Sequence, residues 1–188
     1  MGRSFSMQIP AWKMIYNFSY MDHLTLITYN VWFESNYDNR AKKIIQEISD
    51  SNPDVVCLQE VLDSRALYTY NLLKQQGYNV CISETERPYR ELIATKNLKV
   101  LNTDVIPFPK SVMGRELLTV ELQTSNGIIF HVGTAHLESI FQFKQERFNQ
   151  LHTVFKTLEK KIAPGQMGFF LADTNLHVDK SLKIPKGW

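Results

Sequence analysis

Short apolar segments with strand periodicity recur along most of this 188-residue chain, and this recurrence limits its fold more than any other feature. Residues 24–31 alternate apolar and polar side chains, and residues 55–58 form a short apolar run. Apolar side chains three and four residues apart predict helices over 39–51 and 64–75 between these early strands. Further elements are predicted as strands at 78–82, 92–95, 99–106, 117–122, 128–134 and 167–171, with a helix over 147–161. This order predicts an α/β fold with a substantial sheet.

Composition narrows the class of protein without identifying it. The chain has 21 Lys and Arg against 19 Asp and Glu, so its formal net charge is +2, which excludes a strongly basic nucleic-acid binder. No stretch approaches the roughly 18 apolar residues that a membrane-spanning helix needs, and we expect no stable membrane association. Cys57 and Cys81 lie in apolar runs, which indicates a reducing, intracellular compartment and excludes a Cys-x-x-Cys zinc site.

Polar side chains follow four of the predicted strands at the point where each strand ends. Asn30 ends the first strand, Glu60 follows the second, His136 follows the strand before the last helix, and Asp173 and Asn175 follow the final strand. Such groups are costly to bury unless they are paired or bound to a cation. If the strand ends converge, their oxygens form a site that suits Mg²⁺ or Mn²⁺. A divalent cation beside an imidazole is what phosphoester hydrolysis requires.

Each of these residues also has an ordinary structural explanation. Asp173 and Asn175 are typical of an Asx-turn or a helix cap, and Asn30 is also a common cap. Glu60 alone is more often a solvated helix start, and His136 alone is more often a buried histidine with satisfied hydrogen bonds. One shared site explains the polar residues at all four strand ends, whereas the structural explanation must hold separately at each end. We therefore favour the shared site.

The sequence around these positions resembles the endonuclease/exonuclease/phosphatase superfamily. The matching segments, in the order of the family motifs, are TYNV at 28–31, PDVVCLQEV at 53–61, TAHLES at 134–139 and ADTNL at 172–176. Further segments resemble the 5′-tyrosyl-DNA phosphodiesterase (type 2) branch: IPFP at 106–109, MGRELL at 113–118 and ERFNQL at 146–151. The resemblance implies a four-layer α/β sandwich, in which two packed mixed sheets are flanked by helices.

The same resemblance implies a role for each motif residue in a metal-dependent phosphodiesterase. Glu60 is expected to bind Mg²⁺, with Mn²⁺ as the alternative, and Asn30 to hydrogen-bond nearby. Asp173 is expected to orient or deprotonate the attacking water, Asn175 to hold the phosphate and the nucleophile, and His136 to contact the phosphate oxygens.

The implied substrate is a DNA 5′ end that carries a tyrosyl adduct, which places the protein in DNA repair and in the nucleus, with the cytoplasm as the alternative. The implied substrate-binding residues are Tyr89, Arg115, Ser139 and His177. Tyr89 is expected to present an exposed ring to a frayed 5′ nucleotide, or else to anchor a loop. His177 replaces an arginine that is common in the branch, and a neutral imidazole holds a phosphate less well than a guanidinium.

Besides His177, the chain departs from the family pattern at a small change, Ala172, and at the missing C-terminal motif. Ala172 replaces a glycine, and residues 180–188 lack the late Asp-His pair that the family uses at the phosphate. We therefore expect residues 24–188 to form a domain truncated before its last strands, with an incomplete second sheet. We expect residues 1–23 to form an N-terminal arm or first strand. The alternatives to the tyrosyl-DNA activity are another phosphodiesterase of the superfamily, such as a nuclease or lipid phosphodiesterase, or a catalytically impaired fragment.

Overall fold

Two β-sheets, each with one pair of parallel strands, form the centre of the molecule. The computed structural model describes residues 12–18, 21–32, 37–83, 87–176, 184–185 and 188. The elements in these residues are β1 (Trp12–Phe18), β2 (Met21–Asn30), α1 (Tyr37–Ser51), β3 (Val55–Leu62), α2 (Asp63–Gln75), β4 (Asn79–Ile82), β5 (Tyr89–Thr95), β6 (Lys99–Pro107), β7 (Glu116–Gln123), β8 (Ile129–Ala135), α3 (Lys144–Lys161) and β9 (Met167–Phe170). They match the predicted strands and helices, and the α/β class is confirmed.

The first sheet has the strand order β1-β2-β3-β5-β4, and the second has the order β6-β7-β8-β9. The parallel pairs are β2 with β3 in the first sheet and β8 with β9 in the second, and the remaining neighbours are antiparallel. Parallel strands end at the same edge of a sheet. Each sheet therefore brings two carboxyl-terminal strand ends side by side.

Alternating side chains give the central strands of each sheet two buried faces. One face of β3 carries Val55 and Cys57, which pack with residues of the second sheet, such as Val120 and Val132, in the core between the sheets. The other face of β3 packs beneath α1 and α2, and a third apolar cluster joins the second sheet to α3. The layers are thus helices, sheet, sheet and helix, and the predicted four-layer sandwich is confirmed.

Strand β1 lies within the predicted N-terminal arm. Its backbone pairs antiparallel with β2, from Trp12 opposite Thr28 to Phe18 opposite Met21, so this part of the arm forms the edge of the first sheet. At the other end of the chain, β9 pairs with β8 alone among the described residues. The domain boundaries and the incompleteness of the second sheet stay predictions. No described helix is both long enough and apolar enough to cross a membrane.

Candidate active site

The ends of the two parallel strand pairs meet at one edge of the sandwich and bring four of the predicted residues into contact. Asn30 Nδ2 donates to Asp173 Oδ2 at 2.7 Å, which joins the end of β2 to the segment after β9. His136 Nδ1 lies 3.2 Å from Glu60 Oε1, and His136 Nε2 lies 3.7 Å from Asp173 Oδ2. The Asn30–Asp173 hydrogen bond joins the two sheets across residues more than one hundred positions apart in sequence.

A β-bulge places Glu60 at this edge. The pairing of β3 with β5 shifts register between Leu58 and Val61, and Glu60 has a left-handed φ of 60°. In a regular strand Glu60 would follow Val56 and Leu58 on the face beneath the helices. The bulge adds one residue, so Val61 resumes that face and the Glu60 side chain reaches His136 of the other sheet. The strand continues to Leu62, beyond the predicted end at Leu58.

Gln59 fixes the base of the site by joining the two sheets. Its buried Nε2 donates to Thr28 Oγ1 at 3.0 Å and to Thr134 Oγ1 at 2.8 Å. A buried amide whose donors are both satisfied holds its neighbours in a defined arrangement, because breaking either bond leaves a polar group without a partner. Gln59 therefore sets the spacing between the strands that carry Asn30, Glu60 and His136.

Backbone hydrogen bonds position Asp173 opposite His136. The two residues form an isolated parallel bridge, in which Asp173 N donates to Ala135 O at 3.1 Å and Leu137 N donates to Asp173 O at 2.9 Å. Both carboxylate oxygens of Asp173 accept hydrogen bonds, Oδ2 from Asn30 Nδ2 and Oδ1 from the backbone N–H of Asn175 at 3.1 Å. The Asp173 side chain remains 29% exposed, so solvent water reaches this oriented carboxylate.

The hydrogen-bond network assigns one tautomer to His136. Arg115 Nη1 lies 2.9 Å from His136 Nδ1, and a guanidinium has only donors, so Nδ1 accepts. Burial, together with the charge of Arg115, lowers the pKa of His136 to about 3. The imidazole is therefore neutral at physiological pH and carries its proton on Nε2, on the side of Asp173. At 3.7 Å from Asp173 Oδ2, this N–H is too far for a strong hydrogen bond and is directed into the site.

The structure places Arg115 and Tyr89 beneath the site surface. Arg115 is 2% exposed and Tyr89 is 7% exposed. The Arg115 guanidinium lies 5.1 Å from the centre of the Tyr89 ring, the Arg87 guanidinium lies 5.5 Å from it, and the His136 ring lies 6.5 Å away. The expectation of an exposed Tyr89 ring is wrong, because two guanidinium groups and the opposite sheet cover a side chain that belongs to strand β5.

Two predicted substrate-binding residues lie outside this contact network. Ser139 is exposed, and its hydroxyl donates to Met113 Sδ at 3.5 Å, three residues beyond His136. His177 lies outside the described residues. Asn175, in contrast, belongs to the network: its Nδ2 donates to Leu137 O at 3.1 Å, and its φ is 49°.

A family comparison accounts for this arrangement. The model of the Endonuclease/Exonuclease/phosphatase family matches residues 27–126, more than half of the chain. The chain belongs to this family. The family was predicted from the motifs that end β2 and β3 and follow β8 and β9, and the prediction is confirmed.

Similar proteins within the family are tyrosyl-DNA phosphodiesterases. Tyrosyl-DNA phosphodiesterase 2 of Xenopus laevis is 30% identical over 167 residues, which cover 86% of this chain and 43% of the relative. The structure of truncated Caenorhabditis elegans TDP2 has 28% identity and a TM-score of 0.78 and covers 86% of this chain and 66% of that one. The structure of D. rerio TDP2 complexed with single strand DNA product has 30% identity and a TM-score of 0.73, with 82% and 61% covered. The chain thus spans less than half the length of this curated relative.

The donor set at the site fits the divalent cation that the resemblance implies. No group of three or more His, Cys, Asp and Glu side chains within the described part of the chain is arranged to hold a metal ion. Magnesium differs from zinc in that it keeps several waters and uses only one or two carboxylates. The carboxylates of Glu60 and Asp173 lie on either side of the His136 ring, 3.2 Å from Nδ1 and 3.7 Å from Nε2. A site with one or two carboxylates fits the donors that Mg²⁺ uses better than the His and Cys sets typical of Zn²⁺.

Sequence reasoning missed the network that supports Arg115. Glu138 is fully buried, and its Oε1 accepts hydrogen bonds from Ser111 Oγ at 2.7 Å and from the backbone N–H of Met113 at 3.1 Å. Ser111 Oγ in turn accepts the backbone N–H of Arg115 at 2.7 Å. Gln150 Nε2, on α3, donates to the same oxygen, Glu138 Oε1, at 3.4 Å. The sequence offers one signal for this network: Glu138 is an acidic residue in a segment whose other residues indicate the end of a buried strand.

Proposed function

We propose that this chain is a metal-dependent phosphodiesterase that hydrolyses the bond between a tyrosyl group and the 5′ phosphate of DNA. The observation that carries the proposal is the contact network of Asn30, Glu60, His136 and Asp173 at one edge of the sandwich. Similarity to tyrosyl-DNA phosphodiesterases, one of them complexed with a single strand DNA product, supports DNA as the substrate. The proposal includes a role in DNA repair and a nuclear location, with no stable membrane association.

In this proposal Asp173 holds the attacking water. Its Oδ2 is fixed by Asn30 and its Oδ1 by the backbone of Asn175, so the remaining lone pairs have a defined direction. A water that donates a hydrogen bond to this carboxylate is oriented toward the phosphorus and loses its proton to Asp173 as it attacks. Asn175, fixed through its Nδ2 to Leu137 O, lies beside the same water and supports its orientation.

His136 acts as a neutral hydrogen-bond donor to the phosphate. Its Nε2–H is directed into the site, where it meets a non-bridging phosphate oxygen without prior protonation of the ring. A fixed donor of this kind stabilises the charge that develops in the transition state. We assign Ser139, three residues further on and exposed, to contact with the same phosphate or the adjoining nucleotide.

Glu60 is the proposed ligand of the divalent cation, with Asn30 nearby. When bound, Mg²⁺ supplies charge neutralisation at a non-bridging phosphate oxygen. The left-handed bulge holds Glu60 in place before substrate arrives, which limits the reorganisation that binding requires. A tyrosyl leaving group departs as a phenolate, whose parent pKa of about 10 is far below that of an alkyl alcohol. The reaction therefore needs little help from a general acid.

Arg115 is proposed to act through His136, as a positioning residue. Replacement of Arg115 by methionine removes the donor to Nδ1, and the imidazole proton is then free to move to Nδ1, beside Glu60. We expect kcat to fall about 10- to 100-fold while KM changes little, because a preorganised donor to the transition state is lost. The ¹⁵N chemical shifts of His136 should show Nε2 protonated in the wild type and a shift of the proton toward Nδ1 in Arg115→Met.

A purely structural role for Arg115 predicts a different result. In that case Arg115→Met lowers the melting temperature and leaves the His136 tautomer as in the wild type. Arg115→Lys is the conservative comparison, because it retains the charge and a donor but loses the planar group over Tyr89. An unchanged Nε2–H signal in Arg115→Met, together with unchanged kcat, would contradict the positioning role.

Release of tyrosine from a 5′-phosphotyrosyl oligonucleotide with Mg²⁺ is the test of the proposed function. The same preparation should be compared on an abasic-site duplex, a polyadenylate and a phospholipid phosphodiester, which represent other activities of the superfamily. We expect the tyrosyl substrate to be turned over fastest. Faster turnover of another substrate would indicate a different activity of the family. The absence of turnover on all four substrates would favour the catalytically impaired fragment.

A further inference from the structure

Backbone strain identifies a residue at the site that has no role so far. Among the described residues, six other than glycine have a positive φ: Trp32, Asn52, Glu60, Asn97, Lys110 and Asn175. Asparagine adopts this conformation with little cost, but a bulky aromatic residue rarely does. Such strained residues persist where the surrounding structure holds them, and they concentrate at active sites. Trp32, with a φ of 55°, lies two residues after Asn30 and shares this feature with Glu60 and Asn175.

The Trp32 backbone is part of the catalytic network. Its N–H donates to Asn30 Oδ1 at 2.8 Å. This bond fixes the orientation of the Asn30 amide, so that Nδ2 faces Asp173 Oδ2. The left-handed conformation of Trp32 is therefore coupled to the geometry of Asp173, and the Trp32 ring is carried on a backbone that is held at the edge of the site.

Arg40 fixes the Trp32 ring from one side. The Arg40 guanidinium lies 4.7 Å from the centre of the ring, and it also donates to the carbonyl oxygens of Val31 and Trp32. A guanidinium held by two backbone acceptors has little freedom to leave the ring, so the stack exists before any ligand arrives. Trp32 is nevertheless 39% exposed, in contrast to Tyr89 at 7%. A fixed aromatic ring with an exposed surface, on a residue whose backbone N–H is bonded to Asn30 of the site, is suited to stacking.

We propose that Trp32, backed by Arg40, is the stacking platform for a planar aromatic group that the substrate carries next to the scissile phosphate. The inference rests on the proposed function and deepens it. Two groups of that substrate have this chemistry, the 5′ nucleobase and the phenol ring of the tyrosyl adduct. Stacking tolerates any base and any phenol because each presents a π face, and the charge of Arg40 adds attraction for a polyanion.

Two variants separate the ring from the backbone it is attached to. Trp32→Gly removes the ring, keeps the N–H that holds Asn30, and accepts a positive φ without strain. Trp32→Phe keeps an aromatic surface. The matched control is Leu101→Ala, which truncates an apolar side chain of similar exposure, 37%, near the start of β6. Melting temperatures of all three variants should be close to that of the wild type.

Three probes identify the group that stacks, and none of them requires turnover. They are a 5′-phosphorylated single-stranded oligonucleotide, the same oligonucleotide with an abasic 5′ nucleotide, and an O-phosphotyrosyl peptide, each titrated calorimetrically with Mg²⁺. If the base stacks, Trp32→Gly weakens binding of the first probe about tenfold and leaves the abasic probe unchanged. If the phenol stacks, Trp32→Gly weakens only the phosphotyrosyl peptide by a similar factor. In both cases Trp32→Phe stays within about threefold of the wild type.

The platform is overturned if Trp32→Gly binds all three probes as the wild type does. It is equally overturned if Trp32→Gly weakens all three alike, the abasic probe included, because the loss then lies in the phosphate site. The platform is also overturned if the wild type binds neither the 5′-phosphorylated oligonucleotide with its base nor the phosphotyrosyl peptide. Ring-dependent binding without release of tyrosine would instead support the platform and contradict the proposed function, so the two failures are distinguishable.

Discussion

Replacement of Glu60 by glutamine is expected to lower the rate of tyrosine release about 10³-fold at saturating Mg²⁺. Glutamine keeps the size of the side chain and its place in the bulge but removes the charge that holds the cation. Binding of the cation should weaken in parallel, which a titration with Mn²⁺ followed by electron paramagnetic resonance measures without substrate. The fold should be retained, because the apolar residues on either side of Glu60, Leu58 and Val61, remain packed beneath the helices.

Glu121→Gln is the matched control for this variant. Glu121 lies on β7 opposite His131 of β8, and it lines a different surface pocket, with Asp104 and Lys161. The same change of charge there should leave the rate and the Mn²⁺ affinity unchanged. Glu60→Gln with wild-type affinity for Mn²⁺ would show that Glu60 does not hold the cation, whatever happens to the rate.

Replacement of Asp173 by asparagine is expected to lower kcat by about 10³-fold, because the group that orients and deprotonates the water is lost. The effect should differ in kind from that of Glu60→Gln, since Asp173 is not the proposed metal ligand and Mn²⁺ affinity should change little. Asparagine has one acceptor oxygen where aspartate has two, so it also loses either the hydrogen bond from Asn30 Nδ2 or the one from the Asn175 N–H. Single-turnover rates and KM, measured together, separate the chemical step from binding.

The control for Asp173 is Asp104→Asn, at a carboxylate that pairs with Lys161 at 2.6 Å on the face of the second sheet beneath α3. This exposed pair contributes little to stability, so the variant should fold and turn over as the wild type does. An Asp173→Asn enzyme with more than about a tenth of the wild-type kcat would exclude Asp173 as the base.

The sequence was sufficient to predict the strand ends because two local signals coincide there. Apolar runs fix where the strands lie, and a polar residue directly after such a run marks where the strand leaves the core. Asn30, His136 and Asp173 each follow this pattern, and the structure brings them together with Glu60. The four-layer arrangement followed from the family resemblance, since periodicity alone indicates only an α/β class.

The details of the site depended on contacts that no local pattern contains. The bulge at Glu60 arises from the pairing of β3 with β5, about 30 residues later in the chain, so the apolar run alone suggested that the strand stops at Leu58. The family resemblance implied that Tyr89 and Arg115 contact the substrate, with the Tyr89 ring exposed. Their burial results from stacking between residues of different sheets, and a single sequence does not reveal such a contact.

Trp32 is a second residue whose role could not be predicted from the sequence. In the sequence it is one more aromatic residue after a strand, and nothing marks it as unusual. Its significance comes from a backbone conformation and from Arg40, which reaches it only because α1 begins close to the end of β2. Residues that act through strain and stacking are therefore recognised in the structure and not in the pattern.

The dependence of tyrosine release on Mg²⁺ is the most direct test of the central claim that the strand ends converge on a divalent cation. The rate for a 5′-phosphotyrosyl oligonucleotide should be measured from a chelator blank to saturating Mg²⁺, with the wild type and Glu60→Gln side by side. We expect no release in the chelator, saturable activation of the wild type, and little activity of Glu60→Gln at any Mg²⁺ concentration. Release that persists in the chelator, or a Glu60→Gln variant that reaches the wild-type rate at the same Mg²⁺ concentration, would contradict it.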